Sequence, residues 1–175
     1  HVQLLDQCMR EGQESREHQR LQPDVITYNS LISACEKGKN SEGTMEIFAS
    51  MGKQRVQPDL ITYNSLISAC EKGKDPERAL EIFASMKHQR VQPDVITYNS
   101  LVSACEKGKN PERALEIFAS MEHQRVQPNV ITFNSLICAC EKAKNPERAL
   151  NIFASMEHLR VQPNVIILLK LMHGI

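Results

Sequence analysis

The sequence predicts an all-α protein, a right-handed α-solenoid of stacked helix-turn-helix units. Three observations predict it. Pro23, Pro58, Pro93, Pro128 and Pro163 recur every 35 residues, and the chain is 175 residues long. Within each period, apolar residues recur twice at i, i+3, i+4 and i+7, the spacing of one helical face. Two helices of roughly 12 residues cannot bury both apolar faces alone, so neighbouring pairs must stack to make a continuous core.

Division after each Pro-Asp or Pro-Asn gives four full units, 25–59, 60–94, 95–129 and 130–164. The second and third differ at five of 35 positions. Residues 1–24 form a partial, degenerate unit. There Leu4-Leu5-Asp6-Gln7-Cys8-Met9 aligns with a later helix only across an insertion of about five residues. Residues 165–175 begin a further unit and then diverge. Starting at His1 and stopping at Ile175, the chain reads as a piece of something longer.

The first helix of each unit carries Tyr28, Leu31, Ile32 and Cys35 on its apolar face. Asp24 is its expected N-cap, and Gly38 is expected as the left-handed residue past its end. The second helix carries Ala79, Ile82, Phe83 and Met86. Asp75-Pro76-Glu77 supplies a cap, a first-turn proline and an acid at the positive end of the dipole. The helix runs out through His88-Gln89-Arg90-Val91-Gln92-Pro93. The first full unit has Ser41, Gly43 and Thr44 where the next has Pro76, Arg78 and Ala79, so its second helix is expected to be the weakest. Ala143 replaces the expected helix-ending glycine of the fourth unit, which predicts a strained turn or a shifted helix end.

Composition excludes several functions. Lys plus Arg equals Asp plus Glu, 21 each, so no global basic field marks a duplex-DNA binder. No stretch approaches the roughly 18 apolar residues of a membrane helix, and no secretory-signal pattern is present. No Walker loop, dinucleotide fingerprint or nucleophile elbow occurs. No catalytic residue, metal site or cofactor is expected. Cys35, Cys70, Cys105 and Cys140 repeat one apolar position and read as small buried hydrophobes, because packed helices lie too far apart for disulfides. Cys138 and Cys140 point in different directions on a helix and do not suggest a metal site. His88, His123 and His158 read as solvated cations at helix C-termini.

The opposite face of the first helix is more informative. Ile26, Asn29, Ser30, Ser33 and Lys37 fall at i, i+3, i+4, i+7 and i+11, a stripe that is polar except for the isoleucine. That isoleucine recurs as Ile61, Ile96 and Ile131. Periodicity leaves two readings open: core packing against the neighbouring unit, or slots for flat groups whose edges the Asn29-type residues read.

Val-Ile-Thr-Tyr-Asn-Ser-Leu-Ile-Ser-Ala-Cys-Glu-Lys-Gly-Lys-Asn-Pro-Glu-Arg-Ala-Leu-Glu-Ile-Phe-Ala-Ser-Met, followed by Val-Gln-Pro-Asp, resembles the pentatricopeptide repeat in its simple 35-residue form. The resemblance covers 25–164, with degenerate ends. The tetratricopeptide pattern fits less well, having a period of 34 and a tryptophan that this chain lacks. The resemblance implies sequence-specific binding of single-stranded RNA, one base per repeat. It implies base selection by the fifth and last residues of each unit: Asn29 with Asp59, Asn64 with Asp94, Asn99 with Asn129, and Asn134 with Asn164. It implies a base sandwich from Ile26, Ile61, Ile96, Ile131 and Ile166, and phosphate contacts from Lys37, Lys72, Lys107 and Lys142. In the stub, Leu169 stands where the selecting asparagine belongs.

An ionised aspartate only accepts hydrogen bonds, which suits uracil N3–H; an asparagine can donate to cytosine N3 or turn over and accept from uracil. The resulting expectation is 5′-U-U-Y-Y-3′, where Y is C or U. Base stacking on aromatic platforms contributes about 1–3 kcal/mol per base, and an aliphatic sandwich sits at or below the low end, so four units bind weakly and salt weakens them further. The resemblance also implies a monomer without catalysis of its own, acting in RNA processing, stability, editing or translation in a chloroplast or mitochondrion. No deaminase signature of the kind attached to some family members is present. Two alternatives remain: a protein-binding scaffold, or the repeat portion of a longer RNA-processing enzyme.

Overall fold

The computed structural model describes residues 23–174. The partial N-terminal unit, including Cys8, lies outside the described residues apart from Pro23 and Asp24. All regular structure among the described residues is helical. The pairs are α1 (Val25–Lys37) with α2 (Ser41–Lys53), α3 (Leu60–Gly73) with α4 (Pro76–His88), α5 (Val95–Lys107) with α6 (Pro111–His123), and α7 (Val130–Lys142) with α8 (Pro146–His158). A last helix, α9 (Val165–Gly174), follows.

The helix starts are set by side-chain caps. Asp24, Asp59, Asp94 and Asn129 hold extended backbone and accept the N–H of Thr27, Thr62, Thr97 and Thr132 respectively. Asn40, Asp75, Asn110 and Asn145 cap the second helices, three of which open on the expected proline.

The expected left-handed glycine is corrected. Gly38 lies at φ −74°, and the residue after it, Lys39, takes φ 56°. Lys74, Lys109 and Lys144 do the same in later units. The loop closes with Asn40 N–H donating to Cys35 C=O at 2.9 Å and Lys39 N–H to Glu36 C=O at 3.1 Å. That is the Schellman pair of bonds, and it places the left-handed residue one position beyond the glycine. Gly108 answers to packing instead: a Cβ there would lie 2.6 Å from Cγ of Pro76. Ala143 sits at φ −81°, ψ −2°, in the same conformation as Gly38, and α7 still ends at Lys142. The expected strain or shift is therefore absent.

The first helices stack in sequence, α1 on α3, α3 on α5 and α5 on α7, while each second helix packs on the first helices of its own and the next unit. Tyr28, Tyr63, Tyr98 and Phe133 are all buried in this core. Phe48, Phe83 and Phe118 meet Tyr63, Tyr98 and Phe133 of the following unit edge-on, with centroids 6.0, 5.6 and 5.6 Å apart. Such pairs add about 0.5–1.5 kcal/mol each beyond area burial and tie each unit to the next. Leu31, at the N-terminal end of the described stack, is exposed, whereas Leu66, Leu101 and Leu136 are buried.

The α2 helix forms over 13 residues despite Gly43. Its Ile47 and Phe48 are only half-buried, whereas their counterparts Ile82 and Phe83 are buried. Cys70, Cys105 and Cys140 are buried free thiols. Burial pushes Cys70 and Cys105 up to about 11 and raises Cys140, so all three stay protonated at neutral pH.

Candidate nucleic-acid interface

The isoleucine stripe is not core. Ile26, Ile61, Ile96, Ile131 and Ile166 are 70, 62, 58, 56 and 55% exposed. They stand in a row on the first helices, one per unit. A recess of about 540 Å³ between the first two is lined by Ile26, Asn29, Ser33, Lys37, Asp59 and Ile61. The next, about 310 Å³, is lined by Ile61, Asn64, Ser65, Ser68 and Ile96 among others.

Along this row the fifth and last residues of the first three full units meet. Asn29 Nδ2 donates to Asp59 Oδ1 at 3.0 Å, Asn64 Nδ2 to Asp94 Oδ1 at 3.2 Å, and Asn99 Nδ2 to Asn129 Oδ1 at 3.2 Å. The last residue serves twice, because it also caps the next first helix. Thr62 N–H donates to Asp59 Oδ1 at 2.9 Å, and Thr97 N–H to Asp94 Oδ1 at 2.9 Å. Asn129 Oδ1 accepts from Ile131 N–H at 3.0 Å and Thr132 N–H at 3.2 Å.

Burial alone would raise the Asp59 carboxyl. The hydrogen bonds from Thr62 N–H, the Asn29 amide and the Thr62 hydroxyl outweigh it and hold Asp59 below its usual value of 3.8. Asp94 is lowered in the same way, its burial outweighed by bonds from Thr97 and Asn64. Both are carboxylates at neutral pH.

Two features were not foreseen. The hydroxyls of Thr62, Thr97 and Thr132 reach back 2.6 Å to Oδ1 of Asn29, Asn64 and Asn99 in the preceding unit. Their recurrence at the third place of each unit was visible, but nothing in the spacing said that they reach across units. The second feature is a ladder of ion pairs. Lys72 Nζ lies 2.9 Å from Glu36 Oε1, and Lys107 Nζ 2.7 Å from Glu71 Oε1. Lys142 pairs with Glu106, and Lys170 lies 3.2 Å from Glu141. Ser68 and Ser103 hydroxyls donate to Glu36 and Glu71 at 2.6 and 2.8 Å. Three of the four lysines expected at phosphates are thus held by a glutamate of the preceding unit; Lys37 is exposed beside the first recess.

The fourth unit departs from this pattern. Ile167 replaces the threonine, and Asn134 Oδ1 is buried without a hydrogen-bond partner among the described residues. No group of three or more His, Cys, Asp and Glu gathers as a metal site among the described residues, and no described helix is long and apolar enough to cross a membrane.

Stacked helical hairpins with a repeated polar notch on the first helix of each pair define an α-solenoid repeat protein. The chain belongs to the pentatricopeptide repeat family. The pentatricopeptide repeat domain matches at residues 13–73, 59–108 and 82–142, and the PPR repeat family at 128–166. No curated protein sequence matches. Among solved structures, the chain is similar to pentatricopeptide repeat protein PPR10 in complex with an 18-nt psaJ RNA element, with TM-score 0.78 and 26% identity over 86% of this chain and 22% of that one. It also shares its fold with PPR10 from maize (TM-score 0.79, 24% identity, 95% of this chain and 24% of that one). The same holds for the PPR domain of Arabidopsis thaliana protein-only RNase P 1 in complex with tRNA (TM-score 0.78, 20% identity, 99% and 95%). The chain therefore spans less than a quarter of the PPR10 structures.

Proposed function

We propose that this chain binds single-stranded RNA without catalysis of its own, taking one base between successive isoleucines and reading 5′-U-U-Y-Y-3′. The observation that carries the reading is the hydrogen-bonded pair of fifth and last residues set in each of the first three notches, between isoleucines that remain exposed. The RNA complex of the similar PPR10 structure supports it.

The hydrogen bonds on Asp59 from Asn29, Thr62 N–H and the Thr62 hydroxyl all land on Oδ1. Oδ2 is then the acceptor for uracil N3–H, and Asp94 repeats the arrangement. Asn129 uses its Oδ1 for the cap, which leaves Nδ2 as the group for a base. A donor there suits the bare N3 of cytosine, so cytosine is the better pyrimidine at the third site.

A fluorescence-anisotropy titration with RNA containing U-U-C-C against poly-A tests the reading. Tighter binding of the pyrimidine strand is expected. Equal binding, or none to either, removes it in favour of a protein-binding scaffold.

A further inference from the structure

The third and fourth sites carry the same selecting pair, Asn99 with Asn129 and Asn134 with Asn164. A code that reads only the pair assigns them the same base. The surroundings of the two pairs differ. We infer that Thr62, Thr97 and Thr132 are specificity-determining positioning residues, which fix the polarity of the asparagine amide in the preceding unit. Ile167 removes that control from the fourth site, which therefore discriminates among bases less than the third. The inference rests on the RNA reading of these sites.

The lock follows from proton counting. The Thr132 hydroxyl accepts the N–H of Asn129 at 3.1 Å, so its single proton is free to point elsewhere. Its nearest acceptor is Asn99 Oδ1 at 2.6 Å; Asn129 Oδ1 is farther, at 3.3 Å. With its carbonyl held by the threonine, Asn99 turns Nδ2 toward Asn129 Oδ1 at 3.2 Å. Turning the amide over would set two carbonyl oxygens against each other, and Asn129 cannot turn to relieve them because its oxygen caps α7. The amide end offered to a base is therefore fixed as the donor. Thr62 and Thr97 lie equally close to Asn29 and Asn64 Oδ1, at 2.6 Å, but there the single hydroxyl proton is shared with Asp59 and Asp94 Oδ1 at 2.9 Å. Thr62, Thr97 and Thr132 are fully buried, so water does not compete for the hydroxyl.

At the fourth site Ile167 fills the same place, also fully buried, and brings no hydroxyl. Asn164 still caps α9, accepting Ile167 N–H on Oδ1 at 3.0 Å. Asn134 Oδ1 is left buried and without a hydrogen-bond partner among the described residues. No hydroxyl holds that carbonyl, and an orphaned acceptor is stabilised by turning toward whatever donor a base brings. The site then accepts uracil N3–H as readily as it donates to cytosine N3, and it takes an exocyclic amino group as well.

The test is selection from a randomised RNA pool by the intact chain, with every base position scored. The expected profile is a sharp third position and a flatter fourth, a difference of about tenfold, the worth of one neutral hydrogen bond. Ile167→Thr sharpens the fourth to match the third. Thr132→Val, nearly isosteric, flattens the third and leaves the first two unchanged. Identical third and fourth profiles in the unaltered chain overturn the inference, as does an Ile167→Thr profile that does not change. Hydrogen exchange of the side-chain amides, followed by NMR without RNA, separates the two levels. Slow exchange at Asn29, Asn64 and Asn99, fast exchange at Asn134, and slowing at Asn134 in Ile167→Thr support the lock even if no RNA binds. Equal rates at all four overturn it.

Discussion

Asn64 Nδ2 lies 3.2 Å from Asp94 Oδ1, so residues 30 positions apart in sequence form one polar pair at the mouth of a notch. Asp94 is at once the last residue of its unit and the N-cap of α5. The second role constrains which side chains can take the first. Aspartate and asparagine are about equal as N-caps, and both appear at this place in the chain.

Asp94→Asn should therefore alter recognition with little effect on folding. The second base shifts from uracil toward cytosine in a binding selection, while the denaturation free energy changes by about 0.5 kcal/mol or less. Asp94→Ala removes the cap as well and costs about 1 kcal/mol. An Asp94→Asn profile that keeps uracil removes the assignment of Asp94 as a base selector.

The depressed carboxyls of Asp59 and Asp94 make a pH prediction. Their folded values lie below the usual 3.8, so ionisation favours the folded state. That contribution is complete above the unfolded value and is lost as pH falls through the folded value. The small stability gap between the native chain and Asp59→Asn/Asp94→Asn should be largest at neutral pH and close below 3.8. Urea midpoints measured from pH 7 downward check it; a gap independent of pH would contradict the hydrogen-bonded carboxylates. Uracil preference at the first two sites should persist at pH 5, where both groups remain ionised.

The fold was legible because its signals are local and repeated. Proline spacing, helix periodicity and first-turn capping depend on neighbours within a few residues. The exposed isoleucines needed the structure: the spacing of Ile26 fits core and groove equally, and only the stack decides between them. The Gly38 expectation failed because composition marks a helix end to within a residue, whereas the bonds from Lys39 and Asn40 fix which residue turns left-handed. The threonine lock and the glutamate–lysine ladder were illegible because each joins residues 29–36 positions apart. The distance between such residues depends on how consecutive units are rotated, which no single unit encodes.

Tyr98 tests the core. Its hydroxyl is buried without a partner among the described residues, whereas Tyr28 and Tyr63 lie 3.4 Å from Ser50 and Ser85. An unsatisfied buried hydroxyl costs about 1–3 kcal/mol, and Phe133 already fills the equivalent place in the next unit. Tyr98→Phe should raise the unfolding free energy by about 1 kcal/mol in urea denaturation. Tyr63→Phe should gain less, because it gives up a weak hydrogen bond. A loss of stability in Tyr98→Phe would mean that the hydroxyl is satisfied in solution.

The ion-pair ladder sets how much charge the groove can offer to phosphates. Lys72 is held by Glu36, and Glu36 also accepts from Ser68, so the lysine must leave a well-seated carboxylate to reach a strand in the groove. Exposed pairs of this kind stabilise a fold by about 0–1 kcal/mol, so the exchange is feasible but reduces what each phosphate contact gains. Glu36→Gln should therefore tighten all RNAs alike at low salt, steepen the salt dependence, and cost under about 1 kcal/mol of stability. Lys72→Ala should do the reverse, weakening all sequences together and reducing the salt slope by about one. Anisotropy titrations across a salt series measure both. If Lys72→Ala changed which bases are preferred, the lysine would belong to the reading of the base and not to the backbone. If Glu36→Gln left affinity untouched, the ladder would be only a strut between units, and the phosphates would have to be met elsewhere.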